Sequence, residues 1–199
     1  MSLPRVYPIV DSAAWVQRLA PLGVRLVQLR IKDQPAPWVA EQIIAARSLC
    51  RAAGIQLVIN DYWQQALQLH CDFVHLGQED LAGADLPALR RAGVRLGVST
   101  HDEAELEQAL SVQPDYVALG PVYPTTLKVM PWKPQGLARV GQWKRRIGTL
   151  PLVAIGGITL ATLPEVLAAG ADAAAVVSDI VRAGDPESQA QRWLAAAAA

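Results

Sequence analysis

Two aspartates that follow hydrophobic, strand-like runs are the strongest candidates for chemistry in this sequence. Leu57-Val58-Ile59 leads into Asn60-Asp61, and the run 73–76 leads through Gly77 into Gln78-Glu79-Asp80. If the runs are neighbouring parallel strands, about 5 Å apart, both aspartates open onto the same end of one sheet and can share a divalent cation. Carboxylate oxygens suit Mg²⁺, which keeps several waters and recruits phosphate oxygens of a substrate. The alternative for either aspartate is a helix N-cap.

A short basic segment offers a second candidate site. Gln28, Arg30 and Lys32 stand at alternate positions and therefore lie on one face of an extended segment. Unpaired buried charge is costly, so the two cations need an anionic partner. A diphosphate fits, because Arg supplies a fork of donors and Lys a compact charge. The alternative is a solvated edge with a salt bridge to Asp33.

A glycine pair near the end of the sequence predicts a second anion site. Gly156-Gly157 follows Ala154-Ile155, and Val177-Ser178 ends the last strand-like run. Barrel enzymes commonly bind phosphate through backbone N–H groups at this position, and glycine lets the anion approach closely. A Gly-Gly pair alone is more often a turn. Two anion sites would suit two phosphorylated substrates or one long one.

The segment 120–136 is a long loop with four prolines, and it carries Thr125, Thr126 and Lys128. Long loops in compact domains are usually functional or disordered, and proline limits their conformations. We predict a lid that brings Lys128 over the substrate, with a surface excursion as the alternative. The three histidines show no ligand spacing. We interpret His75 as a strand residue and His101 as a helix cap or supporting group.

The elements that must position these residues alternate along the whole sequence. Eight strand-like runs are predicted at 6–10, 26–30, 56–59, 73–76, 95–98, 116–119, 152–155 and 173–177. Segments with helical periodicity lie between them, among them 38–51, 63–69, 104–110 and 160–168. This order predicts an α/β fold, a single (β/α)₈ TIM barrel, with its chemistry in the loops that follow the strands. An open doubly wound sheet is the alternative, but the first turn lacks a glycine-rich fingerprint.

Length and composition favour one globular domain. The 199 residues predict a single domain over 1–199, with 195–199 as a frayed C-terminal tail, and 18 acidic and 18 basic residues balance. The balance disfavours nucleic-acid and membrane partners, and no apolar run approaches the roughly 20 residues of a membrane span. Cys50 and Cys71 fit a reducing compartment, so we expect a cytoplasmic protein with small-molecule partners. The sequence leaves open whether the protein forms a homo-oligomer.

Taken together, the motifs resemble the thiamine phosphate synthase family. The resemblance runs in order over about 6–183 and rests on Val27-Gln28-Leu29-Arg30-Ile31-Lys32, Ile59-Asn60-Asp61, His75-Leu76-Gly77-Gln78-Glu79-Asp80, Gly97-Val98-Ser99, Leu119-Gly120-Pro121-Val122-Tyr123-Pro124-Thr125, Lys128, Ala154-Ile155-Gly156-Gly157-Ile158 and Val176-Val177-Ser178. It implies a transferase of thiamine biosynthesis that joins 4-amino-5-hydroxymethyl-2-methylpyrimidine diphosphate to thiazole phosphate. The products are thiamine phosphate and diphosphate, and the implied path is dissociative, through a pyrimidine carbocation.

The resemblance also implies roles for individual residues. Asp61 and Asp80 would hold Mg²⁺, and the cations Arg30, Lys32 and Lys128 would act on the diphosphate. The implied contacts to the pyrimidine substrate are Gln28, Leu29, Arg30, Ile31, Lys32, Asn60, Ser99 and Lys128. The implied contacts to the thiazole phosphate are Thr125, Thr126, Leu127, Gly157, Val177 and Ser178.

One position departs from the family pattern, and two other functions compete. The family sequence Pro-Thr-x-Thr-Lys reads Pro124-Thr125-Thr126-Leu127-Lys128 here, so Leu127 replaces a threonine and a modest change in thiazole affinity is expected. A thiazole tautomerase would share the barrel but use a histidine where this sequence has Pro121. A barrel that binds thiamine phosphate without turnover is the other alternative, because fold does not fix function.

Overall fold

The strands close into a barrel, as the sequence predicts. A computed structural model describes residues 2–125 and 132–198, and its eight parallel strands run in chain order around the barrel, with the last strand pairing with the first. The strands are β1 Val6–Val10, β2 Leu26–Leu29, β3 Gln56–Asn60, β4 Phe73–Leu76, β5 Arg95–Thr100, β6 Tyr116–Leu119, β7 Leu152–Ile155 and β8 Ala173–Val176. The predicted (β/α)₈ fold is confirmed.

Helices follow the strands and cover the outside of the barrel. They are α1 Ala13–Leu19, α2 Ala36–Ala53, α3 Trp63–Gln68, α4 Gln78–Gly83, α5 Leu86–Arg91, α6 Glu103–Ser111, α7 Gly136–Ile147, α8 Leu163–Ala168, α9 Ser178–Val181 and α10 Pro186–Ala198, with a 3₁₀ turn at Ala20–Leu22. Gly54 shows how the chain passes from helix to strand: its left-handed backbone (φ 67°) ends α2, and its N–H bonds to the carbonyl of Cys50.

The strands bury both of their faces. Outward-facing residues such as Val27, Leu57 and Val117 pack with the helices in one large hydrophobic cluster. Inward-facing residues form a second cluster inside the barrel. Its members are Leu3, Tyr7, Ile9, Leu26, Val58, Phe73, Tyr116, Ala118, Val153, Ala173 and Ala175. Because side chains alternate along a strand, the next inward positions on β2 to β5 fall nearer the carboxyl ends of the strands. Four of them are polar: Gln28, Asn60, His75 and Ser99.

The C-terminal residues that the structure describes form the end of the last helix. Residues 195–198 continue α10, and Ala197 is buried. The Arg5 guanidinium donates to the Ala197 carbonyl at 2.8 Å, which satisfies one of the carbonyls that a helix end leaves without a partner. No helix within the described part of the chain is both long and apolar enough to cross a membrane.

Candidate active site

The carboxyl ends of the strands open into a cavity of about 690 Å³. Side chains from β1 to β8 and from the loops that follow them line it, so the cavity lies where barrel enzymes place their chemistry. Its volume is within the range of small-molecule sites. Most of the predicted site residues that the structure describes line this cavity: Gln28, Arg30, Lys32, Asn60, Asp61, Asp80, Ser99, Thr125, Gly157, Val177 and Ser178.

Asp61 and Asp80 lie side by side at the ends of β3 and β4. The Asp61 backbone is left-handed (φ 64°), and its N–H donates to the carbonyl of His75 at 2.9 Å. A non-glycine residue in that region is strained, and such strain clusters at functional sites. Neither aspartate caps a helix, because the N-caps of α3 and α4 are Tyr62 and Gly77.

The two carboxyl groups are within hydrogen-bonding reach of each other. Burial raises the pKa of Asp80, and the neighbouring Asp61 carboxylate raises it further. Two carboxylates this close repel each other unless a proton or a cation lies between them. The pair is therefore a place where positive charge is stabilised.

The basic segment after β2 faces this acidic pair. Lys32 forms an ion pair with Asp61 rather than with Asp33, and its side chain is about half exposed. Arg30 lines the cavity, and among residues 2–125 and 132–198 no acidic side chain forms an ion pair with it. A half-buried guanidinium with no described anionic partner favours an anionic ligand.

Two members of the predicted substrate-binding segment do not reach the cavity. Leu29 and Ile31 are buried and belong to the cluster between strands and helices. The alternation along the segment that turns Gln28, Arg30 and Lys32 inward turns these two outward. Their side chains therefore support the barrel wall.

The opposite side of the cavity is formed by glycines and loop backbone. Gly156 (φ 98°) and Gly157 (φ 67°) both have left-handed backbones. A Cβ atom on Gly157 would lie 2.4 Å from the carbonyl oxygen of Pro124. The Val122 and Tyr123 N–H groups donate to the carbonyls of Ile155 and Gly156, so the start of the 120–136 loop is joined to this turn. Thr126, Leu127 and Lys128 lie outside the described residues.

An aspartate behind the glycine side connects it to the C-terminal helix. Asp179 Oδ2 accepts from the Leu160 N–H at 3.0 Å, from Gln189 Nε2 at 2.8 Å and from Trp193 Nε1 at 2.6 Å. Leu160 follows the glycine turn, and Asp179 follows Ser178. The Asp179 carboxylate thus connects the segments that follow β7 and β8 to α10.

The sequence interpretation missed three polar residues at the floor of the cavity. Tyr7, His75 and Tyr116 line it and are hydrogen-bonded to one another or to predicted site residues. The sequence predicts only that His75 is a strand residue, which is confirmed, and the structure adds that its side chain faces the cavity. The alternation of side chains along a strand could have found them, because each lies two residues from another inward-facing position of its strand.

His101 is not the cap of α6. Asp102 holds that position, and its side chain accepts from the Glu105 N–H at 2.9 Å. His101 instead pairs through Nδ1 with Glu105 at 2.6 Å and stacks on Trp132 with ring centroids 5.4 Å apart. Gln135 Nε2 also donates to the His101 carbonyl at 2.8 Å. His101 therefore supports the far end of the 120–136 loop.

The comparisons with known proteins agree with this geometry. A family model described as thiamine monophosphate synthase matches residues 6–180. A thiamine-phosphate synthase from Rhizobium etli is 62% identical over 198 residues, which cover 100% of this chain and 97% of the relative. The chain belongs to the thiamine monophosphate synthase family. A member from Klebsiella pneumoniae is 50% identical, over 98% of this chain and 92% of its own length.

Solved structures show the same relationship. A thiamine phosphate pyrophosphorylase from Pyrococcus furiosus superposes with a TM-score of 0.86 at 26% identity, over 98% of this chain and 95% of that one. A 3-hexulose-6-phosphate synthase superposes with a TM-score of 0.70 at 19% identity, over 97% of this chain and 99% of that one, which is a likeness of fold alone. Membership of the thiamine monophosphate synthase family identifies the chain as a transferase of thiamine biosynthesis.

Proposed function

We propose that this chain catalyses a Mg²⁺-dependent transfer of the 4-amino-2-methylpyrimidin-5-ylmethyl group from its diphosphate to the ring nitrogen of thiazole phosphate. The products are thiamine phosphate and diphosphate. The observation that carries the proposal is the acidic pair Asp61 and Asp80 beside Arg30 and Lys32, in a cavity of a thiamine monophosphate synthase family member.

The acidic pair suits Mg²⁺ by the chemistry of its donors. Mg²⁺ is commonly held by one or two carboxylates, with waters and substrate phosphates as the remaining ligands. In the described part of the chain, no group of three or more His, Cys, Asp and Glu side chains is placed to hold a metal ion, so a site here depends on the pair. Asp61 and Asp80 would hold the ion, and the ion would supply positive charge to the diphosphate.

The cationic side chains have the task of binding the leaving group. The bond between the pyrimidine methylene carbon and the diphosphate oxygen breaks, and its electron pair leaves with the diphosphate. Arg30 and Lys32 stabilise the negative charge that gathers there, and electrostatic stabilisation of this kind is usually the largest single contribution to catalysis. We assign the same task to Lys128 by resemblance.

The pyrimidine ring is assigned to the polar floor of the cavity. Gln28 and Asn60 are buried and line the cavity together with Ser99. These groups orient the methylene carbon toward the thiazole, whose ring nitrogen attacks with its own lone pair. No general base is needed, so the task of the site is to position the reactants and to stabilise charge.

The thiazole phosphate is assigned to the glycine side. Gly157, Val177 and Ser178 surround one end of the cavity, and Thr125 lies at the start of the loop above it. Thr126 and Leu127 belong to the same proposal by resemblance. Both substrates are small molecules. We further propose that the enzyme is cytoplasmic and binds neither nucleic acid nor membrane.

The deciding experiment mixes the purified protein with both substrates and Mg²⁺ and follows thiamine phosphate by chromatography. We expect product with Mg²⁺, no product in EDTA, and recovery when Mg²⁺ is restored. An EDTA-resistant rate would contradict the metal assignment. Binding of thiamine phosphate without turnover would indicate the non-catalytic alternative, and isomerisation of a thiazole carboxylate phosphate would indicate the tautomerase.

A further inference from the structure

The polar side chains beneath the cavity form one hydrogen-bonded chain across the barrel. Gln28 Nε2 donates to Tyr7 Oη at 3.0 Å, and Tyr7 Oη lies 3.0 Å from Tyr116 Oη. Tyr116 Oη lies 2.7 Å from His75 Nδ1, and His75 Nε2 lies 2.8 Å from Ser99 Oγ. The two ends of this chain, Gln28 and Ser99, are two of the three residues to which the pyrimidine ring is assigned.

Close packing fixes the rings in the middle of the chain. His75 stacks on Tyr116 with centroids 5.5 Å apart, and Tyr7 and Phe73 meet the same ring edge-on at 6.1 and 5.6 Å. A Cβ atom on Gly97 would lie 2.2 Å from Tyr116 Cζ, so the absence of a side chain there makes room for the tyrosine. The Tyr116 hydroxyl is therefore held in one place.

The partners also fix the direction of the protons. An amide nitrogen only donates, so Tyr7 Oη accepts from Gln28 and gives its own proton to Tyr116. Tyr116 then gives its proton to His75 Nδ1. In the reverse order the Tyr7 proton would have no acceptor among the residues that the structure describes, and a buried donor without an acceptor is costly.

The imidazole carries this direction to the other side of the barrel. His75 is buried between two hydroxyl groups, and because its Nδ1 accepts the Tyr116 proton, the ring is neutral. A neutral imidazole that accepts at Nδ1 carries its proton on Nε2 and donates it to Ser99 Oγ. The hydroxyl proton of Ser99 is then free to point into the cavity. At the opposite end the Gln28 carbonyl oxygen is left as an acceptor.

We propose that Tyr7, Tyr116 and His75 are positioning residues that fix the direction of these hydrogen bonds, so that Ser99 meets the substrate as a donor and Gln28 meets it as an acceptor. The matching ligand is a heteroaromatic ring with an amino group for Gln28 and an acceptor for Ser99, either a ring nitrogen or a diphosphate oxygen. A ring with an oxo group in place of the amino group would set two acceptors against each other at Gln28. This inference rests on the proposed function and deepens it.

Steady-state kinetics test the consequence for binding. Tyr116→Phe removes the central hydroxyl, and we expect the KM for the pyrimidine diphosphate to rise about tenfold, the equivalent of one directed hydrogen bond, while the KM for thiazole phosphate stays unchanged. Combining it with Ser99→Ala should add less than the product of the two single effects, because both changes act on one contact. The matched control is Tyr62→Phe, the same change at a residue that does not line the cavity.

The proton direction itself is measurable in the unaltered protein. Nitrogen-15 NMR at pH 7 should show His75 protonated on Nε2 with Nδ1 as the acceptor, the signal being assigned by its loss in His75→Gln. A ring protonated on Nδ1 would overturn the inference, as would unchanged KM values in Tyr116→Phe. An unmodified protein that makes no thiamine phosphate would instead refute the proposed function, and the NMR result stands apart from that outcome. If Tyr116→Phe does not fold, the NMR measurement alone decides.

Discussion

In the proposed function, the two sides of the cavity each bind an anion, and they do so by different means. The side at the ends of β2 to β4 uses charged side chains, Arg30 and Lys32 beside Asp61 and Asp80. The side at the ends of β7 and β8 uses backbone shape, with two left-handed glycines packed under the 120–136 loop. A leaving diphosphate gains negative charge during the reaction, whereas a phosphate that only anchors its substrate does not. The proposed function therefore places charge and metal on the first side, and a close-fitting neutral surface is sufficient on the second.

This contrast predicts its largest effect at the acidic pair. Asp61→Asn or Asp80→Asn should lower kcat by about 10²-fold or more, because each removes a carboxylate that stabilises charge in the transition state. Circular dichroism should show an intact fold. Glu79→Gln is the control, since Glu79 is exposed and adjacent, and it should change kcat little. Full activity in both aspartate variants would refute the shared-cation assignment.

The glycine side should respond in substrate affinity more than in turnover. Gly157→Ala would place a Cβ atom 2.4 Å from the Pro124 carbonyl in a left-handed backbone, so the turn or the loop must move. We expect the KM for thiazole phosphate to rise about tenfold, with a smaller change for the pyrimidine diphosphate. Gly83→Ala is the matched control, because its Cβ would meet no atom within 4 Å. Equal rises in both KM values would mean that the two sides are not separate sites.

At the floor of the cavity, between the two sides, His75 should give a smaller effect, which is on the stability of the fold. The pKa of His75 is lowered by burial from 6.5 to about 4. Between these values the unfolded chain binds a proton that the folded protein does not, so stability falls as the pH drops through this window and is level above it. The loss amounts to about 3 kcal/mol at most. Urea denaturation of His75→Gln from pH 4 to 7 should show a free energy of unfolding that depends less steeply on pH than that of the unaltered protein. An unchanged slope would contradict the buried neutral imidazole.

Much of the fold could be read from the sequence because buried parallel strands leave a clear pattern. Apolar runs of four or five residues, several of them preceded by a connector with glycine and a polar residue, located all eight strands to within two residues at either end. The packing of the C-terminal helix could not be predicted in the same way, because an alanine run has no pattern of its own and the contact of its last turn comes from Arg5 near the other end of the chain.

The charged residues of the candidate site could be predicted from the sequence, whereas its neutral polar residues could not. Asp61, Asp80, Arg30 and Lys32 stand out after apolar strands. Tyr7, His75 and Tyr116 look like ordinary strand residues until the barrel closes and brings β1, β4 and β6 around one axis. Leu29 and Ile31 show the converse, because belonging to a motif does not decide which way a side chain faces.

Binding of inorganic diphosphate tests the division of the cavity most directly. Calorimetry with Mg²⁺ present would compare the unaltered protein with Asp61→Asn/Asp80→Asn, and thiazole phosphate would be titrated into the same two samples. We expect the double variant to lose diphosphate binding and to keep its affinity for thiazole phosphate. Undiminished diphosphate binding in the double variant would contradict the assignment of metal and leaving group to the charged side.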